Sequence, residues 1–205
     1  MGESCSHPDG ADRTKVSCTV PTLESQDPYA TLKVALGDND DTVTYDNATD
    51  QTYNFASLDL GDGKDTLTHT GRVDGNGVTG GTGDDTLTVG QFAVVLGGGG
   101  KDTIRAAGGS IAQGGNDNDT VYSSGSESAV DGGSGDDLIH GGDARQSLSG
   151  GDGNDRITGG TGNDFLYGGR GNDTLYGNSG NDTVYGNSGD DALYGGPGTD
   201  IVRQD

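Results

Sequence analysis

The sequence predicts an all-β fold, a solenoid of short strands stacked coil upon coil, on three observations. First, Gly150 to Arg203 divides without remainder into six nonapeptides: GGDGNDRIT, GGTGNDFLY, GGRGNDTLY, GNSGNDTVY, GNSGDDALY and GGPGTDIVR. Second, each has glycine at its first and fourth places, aspartate at its sixth and an aliphatic residue at its eighth. Third, the residues after each turn, such as Thr174-Leu175-Tyr176, alternate so that the middle one points inward and its neighbours outward, which is a very short strand. One nonapeptide is therefore turn plus strand, and two make a coil of about 18 residues.

The sixth-place aspartates are Asp155, Asp164, Asp173, Asp182, Asp191 and Asp200, and the eighth-place aliphatics are Ile157, Leu166, Leu175, Val184, Leu193 and Val202. Glycine lacks Cβ, reaches positive φ and lets the chain turn tightly; Gly151, Gly153, Gly160, Gly162, Gly169, Gly171, Gly180 and Gly189 stand at the turn positions. Backbone carbonyls and a carboxylate converging in such a turn suit a hard cation that takes six to eight oxygens. The pattern resembles the G-G-x-G-x-D-x-U-x repeat of the RTX (repeats-in-toxin) hemolysin-type calcium-binding family. That resemblance implies a right-handed parallel β-roll with Ca²⁺ held between turns stacked on one side. Each ion would be shared by aspartates two repeats apart, as Asp155 with Asp173 and Asp164 with Asp182.

Composition points the other way until metal is counted. The chain has 205 residues, a formal charge of −22 and only 28% hydrophobic residues, a disordered composition, and its 42 glycines lack the every-third spacing of collagen. On the order of ten Ca²⁺ would add about +20 charge and supply folding energy. The acidic balance excludes nucleic acid and anionic membrane as partners, and no apolar run approaches the length of a transmembrane helix.

Residues 1–35 carry no repeat and read as an N-terminal cap, with strand-like runs at Val16–Val20 and Thr31–Leu36. Met1-Gly2 before a polar stretch reads as the start of a mature or excised segment. Cys5 and Cys18 suit a disulfide in a secreted protein, the alternative being two free thiols. Asp27-Pro28 is an acid-labile bond type that some RTX proteins cleave, and here reads as a plain turn.

Residues 36–131 read as an irregular part of the roll, and residues 132–205 as its regular part. From Leu36 the motif recurs in weaker form as LGDNDDTVT, LGDGKDTLT, GGTGDDTLT, GGGGKDTIR, GGNDNDTVY and GGSGDDLIH. Their sixth-place aspartates are Asp41, Asp65, Asp85, Asp102, Asp119 and Asp137, at intervals of 24, 20, 17, 17 and 18 residues, with 18 more to Asp155. A coil-length interval places them on the side of Asp155, Asp173 and Asp191. The intervening half-coils VGQFAVVL, AAGGSIAQ, SSGSESAVD and GGDARQSLS lack the sixth-place aspartate and read as turns without metal. The expectation is one long calcium row and one short one, with roughly eight to ten sites. A looser solenoid or a separate β-domain is the alternative for the first half; the inward series Val43, Leu67, Leu87, Ile104, Val121, Ile139 favours continuity.

Catalytic signatures do not emerge. His7, His69 and His140 form no HExxH, there is no G-x-S-x-G elbow, and the aspartates are assigned to calcium, so no enzymatic activity is expected. The T-x-T series Thr42/Thr44, Thr66/Thr68, Thr86/Thr88 resembles the ice-facing rows of some β-solenoid antifreeze proteins, but β-propensity on a solvated face explains it. Tyr167 and Tyr185 should stack on one face and Tyr176 and Tyr194 on the other; cross-strand packing explains them, and a glycan or cell-surface partner is the alternative. The chain stops at Asp205, without the tail that exported RTX proteins usually carry, leaving a last coil whose exposed edge is open to self-association. The function expected is a secreted, calcium-binding roll that folds on meeting Ca²⁺ outside the cell. The alternatives are an accessory module of a secreted polysaccharide enzyme and an adhesive or ice-binding surface.

Overall fold

The computed structural model describes residues 4–6, 17–19, 31–47, 55–71 and 75–204. The Asp27-Pro28 bond, His7, the side chains of Cys5 and Cys18 and residues 48–54 of the widest interval lie outside the described residues. Two short strands, β1 (Ser4–Ser6) and β2 (Ser17–Thr19), pair antiparallel with Cys5 opposite Cys18.

Among the described residues every other strand belongs to one of two parallel sheets, of nine and ten strands, and the chain alternates between them. The ten-stranded sheet begins with β3 (Thr31–Gly37), which pairs with β5 (Phe55–Asp62); the nine-stranded sheet begins with β4 (Thr42–Asn47). Stacked coils therefore start at Thr31, inside the segment that sequence alone assigns to the cap. Register follows the repeat: Ile139, Ile157 and Leu175 are successive partners in one sheet, and Leu148, Leu166 and Val184 in the other. This is an all-β parallel solenoid, and the first half continues the same two sheets as the second.

The strands are longer than the three residues predicted. Arg156–Thr161, Phe165–Arg170 and Thr174–Ser179 each have six, because the ladder runs on through the first three places of the next repeat. The second place then needs a left-handed backbone. Gly151 has φ +114° and Gly153, at the fourth place, φ +143°; a Cβ on either would strike the carbonyl oxygen of Gly133 or Gly135 one coil below. Asn178 and Asn187 take the second place with φ of 70° and 69°, and Asp117 the fourth with φ 70°, residue types that tolerate this region.

Inward side chains from the two sheets meet in a single thin core. Leu67, Leu87, Ile104, Val121, Ile139, Ile157 and Leu175 line one wall, and Val95, Leu148, Leu166 and Val184 stand opposite, all fully buried. Each such burial contributes about 1.5–3 kcal/mol. In the last described coil Val202, at an inward place, is 44% exposed. Among the described residues no helix is long and apolar enough to cross a membrane.

Candidate metal centre

Each turn from the ten-stranded to the nine-stranded sheet carries a sixth-place aspartate. Asp41 donates its backbone N–H to Asp65 Oδ1 at 2.7 Å, and Asp65 donates to Asp85 Oδ1 at 2.7 Å. The chain of bonds continues through Asp102 (2.9 Å), Asp119 (2.8 Å), Asp137 (2.7 Å), Asp155 (2.8 Å), Asp173 (2.8 Å) and Asp191 (2.8 Å). The intervals of 24, 20, 17 and 18 residues are all spanned by the same bond, so the unequal coils keep one row. On the opposite edge Asp164 donates to Asp182 Oδ1 and Asp182 to Asp200 Oδ1, both at 2.9 Å.

These bonds occupy one carboxylate oxygen and leave the other. Oδ2 of Asp65, Asp85, Asp102, Asp119, Asp137, Asp155, Asp164, Asp173 and Asp182 is buried with no hydrogen-bond partner. The first-place glycine makes room for it: a Cβ on Gly150 would meet Asp155 Oδ2 and stand 2.6 Å from Gly168 O. Gly80, Gly97, Gly114, Gly132 and Gly168 repeat this relation along the long row, and Gly159 and Gly177 along the short one. In the first two coils the first place is Leu36 and Leu60 instead, and Leu60 is fully buried.

A buried carboxylate oxygen with no donor is costly, and stacking carboxylates compounds the cost. Burial pushes Asp102, Asp119 and Asp155 up to about 7, and Asp85, Asp137 and Asp164 to about 6. Asp41, Asp65, Asp173 and Asp182 rise for the same reason. The bond from the preceding backbone N–H opposes the rise, and neighbouring carboxylates add to it. A hard divalent cation would relieve both burial and repulsion, and the donors fit one: anionic oxygens beside closely packed backbone carbonyls. Among the described residues no three His, Cys, Asp or Glu side chains converge in one cluster, so the remaining donors would have to be those carbonyls.

The turns hold a feature that the repeat formula hides. Fifth-place side chains form their own ladder with the bond reversed: Asn154 Oδ1 accepts from Asn172 N–H at 2.9 Å, and Asn172 Oδ1 from Asp190 N–H at 2.9 Å. Asp136 and Asn163 do the same for Asn154 and Asn181. The run of Asn at the fifth place of four consecutive repeats was the available signal. In the coils where that opposite edge lacks aspartate, neutral oxygens take the carboxylate's part: Asn76 Oδ1 accepts from Ala56 N–H at 2.8 Å and Ser110 Oγ from Ala93 N–H at 3.1 Å.

The outward aromatic pairs stack as the spacing implies, Tyr167 on Tyr185 at 5.6 Å and Tyr176 on Tyr194 at 4.8 Å between centroids. His69 stacks on Tyr45 and His140 on Tyr122, apart from the carboxylate rows. A family model, the RTX calcium-binding nonapeptide repeat, matches in four copies at residues 113–145, 140–175, 149–184 and 167–202. No curated protein matches the chain.

Proposed function

Residues 113–202 belong to the RTX calcium-binding nonapeptide repeat family, and from that premise we propose that the chain is a secreted calcium-binding roll that folds on meeting several Ca²⁺ outside the cell. The observation that carries this is the row of buried Oδ2 atoms without a protein partner. At intracellular Ca²⁺ the row is unneutralised, the chain carries its full −22, and a thin core does not hold it together. Extracellular modules bind at about 10⁻⁴ to 10⁻³ M, which suits folding after export. When bound, Ca²⁺ supplies positive charge and shared coordination between coils; the aspartates supply the anionic oxygens, and the first-place glycines the space.

Six gaps of the long row, from Asp85 to Asp191, and two of the short row, from Asp164 to Asp200, have first-place glycine on both sides. These eight are the sites proposed. The two N-terminal gaps, Asp41 to Asp65 and Asp65 to Asp85, are bordered by Leu60, whose side chain takes up the interior space that glycine leaves elsewhere.

This reading gives the chain no reaction of its own, because the aspartates are engaged in the stack. The stacked tyrosines satisfy one another, and Arg156 lies over Tyr176 at 4.6 Å, so no observation favours a glycan platform. Exposed Tyr194, Ile201 and Val202 on the last described coil support self-association there. Directly opposed residues of an antiparallel pair have Cα atoms about 4.5–5.5 Å apart, within disulfide range, which supports a Cys5–Cys18 bridge. Thiol labelling of the unfolded chain should then require reductant, and labelling without it would remove the bridge.

Far-UV circular dichroism with sedimentation during a Ca²⁺ titration of chelated protein tests the main reading. A cooperative passage from expanded coil to compact β-structure near millimolar Ca²⁺ is expected, and sedimentation also reads self-association. A chelated chain already compact and β-rich would overturn the folding switch.

A further inference from the structure

The turn at residues 141–146 has glutamine, Gln146, at the sixth place, and so reads from sequence as metal-free. Two of its contacts match those of the carboxylate turns, although Gly142 and Ala144 do not take the positive φ of Gly151 and Gly153. Gln146 N–H donates to Asp164 Oδ1 at 2.8 Å, the same link that joins Asp164 to Asp182. A Cβ on Gly141 would meet Gly159 O and stand 3.1 Å from Gln146 Oε1; a Cβ on Gly159 would stand 2.8 Å from both Gly177 O and Asp164 Oδ2. The amide oxygen therefore occupies, one coil earlier, the place of the carboxylate oxygen.

Its orientation is fixed. Gln146 Nε2 donates to Gly125 O at 3.1 Å, which assigns the nitrogen to that side and turns Oε1 away from it. Gln146 is 2% exposed, and Oε1 is buried with no hydrogen-bond partner, like Asp164 Oδ2 beside it. Asn76 and Ser110 on this edge differ, their oxygens being taken up by backbone N–H groups, whereas Ser128 Oγ, one coil before Gln146, is also buried without a partner. Gln146 thus presents an unused hard oxygen next to an unused carboxylate oxygen.

We propose that Gln146 Oε1 and Asp164 Oδ2 are donors to one further Ca²⁺, lodged between the turns 141–146 and 159–164, so that the short row begins one coil earlier than its aspartates. Amide oxygens are ordinary Ca²⁺ donors, and affinity falls with the number of charged ligands. A site with one carboxylate in place of two is the weakest in its row and fills last. The inference rests on the calcium reading of the neighbouring turns.

Native mass spectrometry of the full chain at rising Ca²⁺ counts the ions. Gln146→Leu removes the oxygen and Gln146→Glu replaces it with a charged one, while both lose the bond to Gly125, so their difference reports the donor oxygen and its charge free of that bond. The expected result is one ion fewer at saturation in Gln146→Leu, and an unchanged count in Gln146→Glu with the last ion bound at lower Ca²⁺. An unchanged count in a folded Gln146→Leu overturns the proposal and leaves the calcium reading standing. Where Gln146→Leu does not fold, an unshifted last ion in Gln146→Glu overturns it. A wild-type chain that binds no Ca²⁺ would instead remove the reading on which it rests.

Discussion

The two edges of the roll perform the same backbone task with different atoms. On the long edge Asp102 N–H finds Asp119 Oδ1; on the other edge, in the same coils, Ala93 N–H finds Ser110 Oγ. Both bonds tie one coil to the next. The aspartate brings a second oxygen that nothing in the protein satisfies, whereas Ser110 Oγ completes its needs by donating to Gly90 O at 3.1 Å. At these coils one edge satisfies its own polar atoms and the other demands a cation. Calcium dependence therefore resides in one extra oxygen per aspartate turn, and the same edge that needs no metal at Ser110 needs it from Asp164 onward.

The sharpest test of that contrast removes one member from each edge. Asp173→Ala takes a carboxylate from between two long-row gaps, and two bound ions should be lost together with the bond from Asp155 N–H. The sites at Asp164–Asp182 and Asp182–Asp200 should keep theirs. Ser110→Ala leaves Ala93 N–H buried without its acceptor, a cost of about 1–3 kcal/mol, with no change in ion count. Calcium counting and thermal unfolding of both variants read the difference. Equal loss of ions from both edges in Asp173→Ala would contradict the two-row arrangement.

Acidity should separate the edges less strongly but with a definite sign. Unfolded aspartates titrate near 3.8, whereas in the metal-free fold Asp102, Asp119 and Asp155 are pushed up to about 7 by burial. The folded chain therefore binds protons that the unfolded chain releases between those values. That contribution is fully present below about pH 4 and is lost as pH rises to about 7. Calcium runs the opposite way, since it needs the deprotonated carboxylates. In chelator, circular dichroism should show more β-structure at about pH 5 than at about pH 8, while Ca²⁺ affinity is higher at about pH 8. More structure at the higher pH in chelator would break the account of the orphaned oxygens.

What the sequence revealed and what it hid divide along the same line. The spacing of Asp137, Asp155, Asp173 and Asp191 is enough to put them on one edge, because a parallel solenoid turns sequence interval into register. The intervals of 24 and 20 residues from Asp41 to Asp85 left a separate domain open, and only the continuous hydrogen bonds show that the row passes through them. Leu36 and Leu60 are visible in the sequence, but their consequence is not, since it depends on the first place facing inward toward the aspartate. Gln146 was missed for a related reason. A formula that scores aspartate at the sixth place does not see an amide oxygen delivered to the same spot by a longer side chain.

The fifth-place ladder is the smallest effect and the one that shows where each turn's metal-independent stability lies. Asn154 Oδ1 accepts from Asn172 N–H, and its Nδ2 donates to Asp136 Oδ1 at 3.1 Å, on the exposed outer side of the long row. Asn154→Ala returns the Asn172 N–H to water rather than burying it, so the cost should stay within about 1 kcal/mol. Asn154→Asp keeps an acceptor for Asn172 but loses the donor to Asp136 and sets a like charge beside it, so it should recover only part of the loss. Calorimetry in saturating Ca²⁺ would read these small shifts, with the ion count unchanged in both variants. Loss of an ion in Asn154→Ala would move the fifth place into the metal site. The division between an outer ladder that aligns coils and an inner row that binds metal would then fail, because the outer oxygens could no longer be assigned to the backbone alone.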